Sequence, residues 1–313
     1  MKTAIICISV VLFLLIVCTE FFYEVILNTK VVRKYAKKFN LYDDTLINLF
    51  RHNDVYNGAM KWFVKQKTSD TVIKDAKGND VHGHIIRNEN GSHKWAICVH
   101  GYMCTPSMQA PFAQHFYEKG YNVICPSLRG HGDDTHRYCS MGWHDKNIVL
   151  VWINYIIEND PDSEIVLHGV SMGAATVMLV TGEKIPSNVK CAVSDCGFSS
   201  CKEQFSHVMK SRMKIPVFPL YYTGAILSKL RGNFYFSDCM PVNAVASSET
   251  PTLFIHGTAD DFVPYRMVDD VWNACSAEKE KLDIPDATHA VALSFDTELY
   301  FSVMDKFTDK YIT

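Results

Sequence analysis

Residues 169–173 read Gly-Val-Ser-Met-Gly and place a potential nucleophile, Ser171, between two glycines. An apolar run at 165–167 precedes them and small residues follow, which indicates a strand that turns sharply into a helix. At such a turn the serine hydroxyl projects from the apex. Glycines flank it because the strand and the helix pass too close together for a Cβ atom. The segment therefore predicts a nucleophilic serine at position 171.

A serine hydroxyl is a poor nucleophile until a base removes its proton. His289 follows the apolar run 282–284 and is the candidate base, and Asp260 follows the run 252–256 and is the candidate residue that orients the imidazole. The chain order is therefore nucleophile, acid, histidine. Each of these residues alone also has an ordinary explanation, such as a helix cap or a loop histidine. Their order at successive strand ends favours one catalytic site.

An oxyanion that forms during acyl transfer needs preorganised hydrogen-bond donors. The backbone N–H of Met172, directly after the serine, is one candidate. The backbone N–H of Tyr102, which follows the apolar run 95–99, is the other. The positive end of the helix that begins at Met172 points to the same place. No metal or cofactor is required by this chemistry, and none is predicted.

Strands and helices alternate from residue 95 onward, which predicts an α/β fold with a mainly parallel central sheet and helices on both faces. A hairpin over residues 71–87, with its turn at 75–80, is expected at the start of this domain. The predicted strands and helices that follow are strands at 95–99, 121–126, 165–170, 192–194, 252–256 and 282–284, and helices at 108–119 and 143–158.

These motifs resemble the α/β-hydrolase fold family over about residues 70–313, and within it the membrane-anchored bacterial hydrolases of the Bem46-like and serine-aminopeptidase-like group. The matching segments are 100–101 (HG), 129–132 (RGHG), 169–173, 256–264 (HGTADDFVP) and His289. The resemblance implies that Asp260 rather than Asp261 is the acid. The chain has Ser127 where the family usually has aspartate, which puts a local loop contact in doubt.

Residues 196–245 are too long for a simple crossover between strands and are rich in Phe, Tyr, Met and Pro. We expect them to form a small helical lid over Ser171, with residues 215–222 as an apolar wall for the substrate. Packing of a crossover helix in the core is the alternative. Three cysteines in and near this segment match no zinc-binding spacing, so they are interpreted as reduced thiols.

Residues 3–19 contain no charged side chain, and this uncharged segment is long enough for a short membrane span. We predict a transmembrane anchor over residues 1–27 and a helical connector over 28–69. A non-helical stretch at 53–58 is expected to interrupt the helices of this connector. A cleaved signal peptide is the alternative, although no small-x-small cleavage site is visible. The basic residues that follow the segment and the unpaired cysteines favour a cytoplasmic catalytic domain. An N-terminal apolar segment, however, often directs the chain after it across the membrane. Both orientations therefore stay open.

The 313 residues are 48% hydrophobic and carry a net charge of −3, so no global field favours nucleic acid. The pattern predicts a serine hydrolase that works through an acyl-enzyme intermediate, with a carboxylic ester of apolar acyl group as substrate. A serine peptidase on small peptides and a catalytically idle binding protein are the alternatives. An aminopeptidase needs acidic groups for the substrate amine, and the expected lid offers only Glu203 and Asp238.

Overall fold

The computed structural model describes residues 1–35, 53–66 and 70–313. Eight described strands form one sheet in the order β1-β2-β4-β3-β5-β6-β7-β8. The first two pairings, β1 with β2 and β2 with β4, are antiparallel, and all other neighbours are parallel. The strands are β1 (Asp70–Lys74), β2 (Asp80–Ile86), β3 (Lys94–Val99), β4 (Asn122–Pro126), β5 (Glu164–Val170), β6 (Val189–Asp195), β7 (Thr252–Gly257) and β8 (Lys279–Ile284).

The helices cover both faces of this sheet because successive side chains of its buried strands point to opposite sides. In β3, for example, Trp95 and Ile97 join the core on one face, and Ala96 and Cys98 join the core on the other. The helices are α1 (Lys2–Leu27), α2 (Thr29–Tyr35), α3 (Asp54–Lys65), α4 (Ala110–Glu118), α5 (Asp145–Asn159), α6 (Met172–Thr181), α7 (Cys201–Ser211), α8 (Leu220–Gly232), α9 (Pro241–Ser247), α10 (Arg266–Ala274), α11 (Ala292–Phe295) and α12 (Thr297–Thr308).

The expected hairpin and all six later strands are present, with ends that differ by up to three residues. The expected break at 53–58 is wrong, because Asn53 accepts hydrogen bonds from the backbone N–H groups of Val55 and Tyr56 and thereby caps α3. The helix expected at 108–119 starts as a separate 3₁₀ turn, Pro106–Gln109. Much of the connector predicted for 28–69, namely 36–52 and 67–69, lies outside the described residues.

Helix α1 has two parts with different surroundings. Most of its large apolar side chains up to Val17 are exposed, and so is Phe21, whereas Thr19 and the residues from Phe22 to Leu27, except Glu24, are buried in the domain. The backbone N–H of Cys139 donates to the Leu27 carbonyl at 2.9 Å, and the Tyr102 hydroxyl donates to the Ile26 carbonyl. The end of this helix is therefore built into the fold, while residues 2–18 project from it.

The segment expected to be a lid contains α7, α8, a 3₁₀ turn at Phe236–Asp238 and α9. Helix α8 lies against α1: Gly224 approaches the Phe22 ring, and the Thr19 and Thr223 hydroxyls are 2.7 Å apart. Helix α9 packs instead against α6 and α10. The insertion therefore connects the N-terminal helix to the part of the domain that carries Ser171.

The turn between β5 and α6 is packed so tightly that two of its positions have no room for a side chain. A Cβ atom on Gly173 would lie 2.1 Å from the Val99 carbonyl oxygen, and one on Gly169 would lie 2.4 Å from the Gly173 backbone. Ser171 itself has a φ of 58°, a strained value for a residue with a Cβ atom. Contact between the backbones of β3, β5 and α6 therefore fixes the position of the serine.

Replacing Gly173 with alanine tests this contact. Because the new methyl group would overlap the backbone of β3, we expect Gly173→Ala to lower the free energy of unfolding by more than about 3 kcal/mol. The matched control is Gly58→Ala in α3, where a Cβ atom meets nothing within 4 Å. That change should stabilise the helix by about 0.5–1 kcal/mol. Urea unfolding of both variants measures the difference, and equal stabilities would contradict the packing described.

Candidate active site

Ser171, His289 and Asp260 form one chain of hydrogen bonds at the carboxyl end of the sheet. The Ser171 Oγ lies 2.8 Å from His289 Nε2, and His289 Nδ1 lies 2.7 Å from Asp260 Oδ2. The three residues follow β5, β8 and β7, which are brought to the same sheet edge by their parallel arrangement. Both partners of the serine are buried. The fold thus brings together the three residues that the sequence nominated.

The Asp260 carboxylate is held by more groups than His289 alone. Its Oδ1 accepts the backbone N–H groups of Phe262 at 3.0 Å and Val263 at 2.8 Å, and its Oδ2 lies 3.3 Å from His256 Nε2. Burial by itself would raise the pKa of Asp260, but the neighbouring His289 and His256 hold that pKa well below its usual range. The carboxylate therefore stays ionised and can keep the histidine ring oriented.

Asp261 has entirely different surroundings from its neighbour. Its side chain is 71% exposed and forms an ion pair with Arg212 at 2.5 Å. The carboxylate that is hydrogen-bonded to His289 belongs to Asp260, so the geometry separates the roles of the two adjacent aspartates.

The loop that carries Tyr102 is held beside the nucleophile by two buried histidines. His131 Nε2 accepts the backbone N–H of Met103 at 3.0 Å, while its Nδ1 bonds to the Arg129 carbonyl at 2.9 Å. His100 Nε2 accepts the backbone N–H of Leu128 at 3.2 Å. Burial lowers the pKa of His100 to about 3, so its ring stays neutral and can accept that hydrogen bond. The sequence pointed to these histidines only as parts of motifs.

The backbone at Tyr102 and Met172 borders the serine from two sides. Met172 is the first residue of α6 and Ser171 its N-cap, so the Met172 N–H belongs to the first turn, where backbone donors have no partner within the helix. The Tyr102 loop is close enough that a Cβ atom on Gly101 would lie 3.4 Å from the Ser171 Cβ. Both residues also line the cavity next to the serine.

A small, largely apolar cavity opens beside Ser171. Among its lining residues are Ser171, Tyr102 and Met172 from the site, Ile26 from α1, Phe205 and Val208 from α7, and Phe198, Met141, Gln204, Phe262 and Val263. No acidic side chain is among these described lining residues.

The expectation that residues 215–222 form the wall of this cavity is wrong. Phe218 is 74% exposed, and Tyr221 is buried against Phe236, with 5.6 Å between the ring centroids. Phe236 in turn packs on Phe205, a residue that lines the cavity. Residues from α7 therefore occupy the inner position, and residues 215–222 lie one layer further out. The contribution of Ile26 to the cavity wall could not be predicted from the sequence, because a predicted membrane span implies that its side chains contact lipid.

The carboxyl end of β6 contributes a second buried carboxylate, Asp195, that the sequence did not single out. Its carbonyl accepts the backbone N–H of Ser171 at 2.8 Å, and its side chain accepts the Tyr300 hydroxyl at 3.0 Å. Burial raises the pKa of Asp195 to about 6. Its backbone helps to hold the turn at Ser171, whereas the imidazole of His289 is paired with Asp260.

Cys196, Asp260 and His289 place three potential metal-binding atoms within 4.8 Å of one another. Two of these residues are already hydrogen-bonded to each other, and His289 also contacts Ser171. Burial raises the pKa of the Cys196 thiol well above its usual range, which disfavours the thiolate that a metal would need. The arrangement therefore fits proton transfer better than metal binding.

Comparisons with known proteins agree with this architecture. A family model for the alpha/beta hydrolase fold matches residues 95–234. The uncharacterized protein YqkD of Bacillus subtilis is 24% identical over 83% of this chain and 85% of its own length. The uncharacterized protein YfhR of Escherichia coli O157:H7 is 23% identical over 79% of this chain and 81% of its own length.

Solved structures show the same fold. The Pyrococcus furiosus esterase Pf2001 superposes with a TM-score of 0.64 at 21% identity and covers 80% of this chain and 96% of its own. The Pyrococcus horikoshii acylaminoacyl peptidase superposes with a TM-score of 0.58 at 18% identity and covers 82% of this chain and 44% of its own. The order of the strands, the turn at Ser171 and these matches together show that the chain has the α/β-hydrolase fold.

Proposed function

We propose that this protein is a membrane-anchored serine hydrolase that cleaves carboxylic esters with an apolar acyl group. The observation that carries the proposal is the hydrogen-bonded chain from Ser171 through His289 to Asp260, next to an apolar cavity. The fold of the chain, which is that of many hydrolases, supports the same reading.

In the proposed reaction the Ser171 Oγ attacks the carbonyl carbon of the ester while His289 Nε2 takes the hydroxyl proton. Asp260 stabilises the resulting imidazolium, and the N–H groups of Met172 and Tyr102 stabilise the oxyanion. The bond from the carbonyl carbon to the alcohol oxygen then breaks, and His289 returns the proton to the leaving alcohol. Water, deprotonated by the same histidine, attacks the acyl-enzyme and releases the carboxylic acid.

An ester is preferred over a peptide because of the charges near the cavity. A free substrate amine would need an acidic partner, and the two acids of the lid have other contacts. Glu203 pairs with Arg266 at 2.6 Å, and the Asp238 side chain accepts the backbone N–H of Tyr235 at 2.8 Å. Peptidase activity stays the second candidate, since one structural neighbour is an acylaminoacyl peptidase.

The membrane anchor is the second part of the proposal. Residues 2–18 form the exposed part of α1, and an apolar helix of this kind fits a membrane or a signal sequence. Two observations support an anchor that stays on the chain. The helix continues without a break to Leu27, and its last turns pack inside the domain beside the proposed nucleophile, where Ile26 lines the cavity.

The nucleophile is tested first. A fluorophosphonate probe should label the wild-type protein at Ser171, because only a serine activated by a base reacts readily with such a reagent. Ser171→Ala should lose the labelling and the hydrolysis of p-nitrophenyl butyrate together, with an unchanged melting temperature. A folded wild-type protein that neither reacts with the probe nor hydrolyses esters or aminoacyl amides would instead favour an idle binding protein.

The acid is tested by exchanging each carboxylate for an amide. Asp260→Asn should lower kcat by about 10⁴-fold, because an amide at this place stabilises the wrong tautomer of His289. Asp261→Asn is the matched control and should change kcat less than about twofold, since that carboxylate is exposed and pairs with Arg212. Steady-state kinetics on a soluble ester decide the matter, and the reverse ranking would show that the wrong aspartate was chosen.

Two truncations test the division of α1. Full-length protein should resist a carbonate wash of membranes, and deletion of residues 2–18 should release an active protein, because those residues project from the domain. Deletion of residues 2–27 should abolish folding. It removes five buried apolar side chains, each worth about 1.5–3 kcal/mol, against a typical total stability of about 5–15 kcal/mol. A mature N-terminus near residue 20 in the native protein would indicate a signal peptide instead.

A further inference from the structure

The outer face of the lid carries a row of exposed apolar side chains. Phe218 is 74% exposed, and along α8 Tyr222, Ile226 and Leu230 are 51%, 55% and 76% exposed. A spacing of four residues places successive members on one side of a helix. The opposite side of α8 is buried through Tyr221, Gly224 and Ser228. We call Phe218, Tyr222, Ile226 and Leu230 the lid ridge.

Helix α8, which carries most of the lid ridge, contacts α1 at the level where that helix enters the domain. Arg231 pairs with Glu20 at 2.9 Å, and the guanidinium of Arg231 lies 5.5 Å from the Tyr23 ring centroid. One turn earlier along α1, Thr19 meets Thr223. The exposed apolar surface of α1 reaches this level, because Ile16, Val17 and Phe21 are exposed, whereas the side chains from Phe22 to Leu27 are buried apart from Glu24. The ridge helix therefore adjoins the projecting apolar part of α1.

Within residues 204–237 the Asp, Glu, Lys and Arg side chains are all basic, and two of these basic side chains are ion-paired with acids of other elements, Arg212 with Asp261 and Arg231 with Glu20. Residues 204–237 contain no aspartate or glutamate, and they contain five basic residues: Lys210, Arg212, Lys214, Lys229 and Arg231. Lys30 and Lys34, directly after α1, are also exposed. Exposed apolar side chains on a segment that has basic residues and no acidic ones match the boundary between the acyl chains and the anionic headgroups of a bilayer. A protein partner would need no such continuity with a membrane span.

The cavity beside Ser171 lies between α1 and α7, and α8 packs behind α7 through Phe236. Its wall includes Ile26 from α1 and Phe205 and Val208 from α7, and Phe205 contacts the Phe236 ring on which Tyr221 of α8 packs. A substrate that reaches this cavity from the side of α1 and the lid comes from the region where the bilayer would lie. The cavity also has an apolar lining that suits an acyl chain.

We propose that the lid ridge lies in the surface of the membrane that holds α1, and that the substrate is a lipid ester whose acyl chain enters the Ser171 cavity from that membrane. The second part rests on the proposed serine hydrolase function, whereas the position of the ridge does not. Two experiments on the full-length chain separate these parts.

The position of the ridge is measured by fluorescence quenching, which needs no activity. Leu230→Trp and the control Val64→Trp replace side chains that are both 76% exposed. Each variant is reconstituted in vesicles of phosphatidylcholine and phosphatidylglycerol, with and without bromine on the acyl chains. The fluorescence added at position 230 should be quenched by the brominated lipid and that added at position 64 should not. Absence of quenching at position 230, including the case of a dimer that buries the ridge, overturns the proposal.

The source of the substrate is measured with two esters. Ile226→Gln combined with Leu230→Gln should lower kcat/KM for vesicle-embedded p-nitrophenyl palmitate about tenfold, because less apolar surface enters the bilayer. Hydrolysis of water-soluble p-nitrophenyl butyrate should stay within about twofold. The control pair Val64→Gln and Phe295→Gln, also at exposed apolar positions, should change neither rate.

The outcomes are distinct. Equal effects of the ridge pair and the control pair on the palmitate ester overturn the lipid route to the cavity. A wild-type protein that hydrolyses neither ester refutes the proposed function, while quenching at position 230 would then still support the membrane position of the ridge.

Discussion

The site depends on a contact between backbones: the start of α6 lies against the end of β3 with no space for a side chain at Gly173. Because Val99 and His100 belong to the strand end that leads into the Tyr102 loop, the same contact sets the distance between the serine and that loop. The sheet edge, the helix N-terminus and the loop are thereby held in one geometry before any substrate binds. Preorganised donors of this kind are the main source of stabilisation for a developing oxyanion.

Buried histidines carry out much of the remaining positioning. His100 and His131 accept backbone N–H groups and hold the loops on one side of Ser171, and His256 contacts Asp260 on the other. Burial opposes the charge on His256, but Asp260 outweighs it and raises the pKa of His256, whereas the pKa of His100 is lowered. Chemically identical side chains therefore serve as a neutral acceptor in one place and as a partner for a carboxylate in another, according to their neighbours.

The succession of strands and helices along the chain and the three residues of the hydrogen-bonded chain could be predicted from the sequence, because strand periodicity and the short motifs are local signals. Contacts between segments that are distant in sequence could not be predicted in this way. Nothing in residues 20–27 indicates that Ile26 lines the cavity, since an apolar run is equally compatible with lipid and with protein. The prediction of a cavity wall at 215–222 was wrong for a similar reason. Aromatic content indicates that a segment has apolar side chains to bury, but it does not indicate which of them are buried. Phe218 is exposed and Tyr221 is buried because of the tertiary packing of Tyr221 on Phe236 and of Phe236 on α7.

The unbroken course of α1 from Lys2 to Leu27 leaves no flexible joint between the projecting helix and the cavity wall. If α1 is the proposed anchor, a domain held this way would stay at the membrane surface and would meet lipid substrates by their lateral diffusion in the same leaflet. Its encounter rate would then follow the mole fraction of substrate in the membrane rather than its bulk molarity. Dilution of the substrate with inert lipid would slow such an enzyme even when the total amount of substrate in the suspension is unchanged.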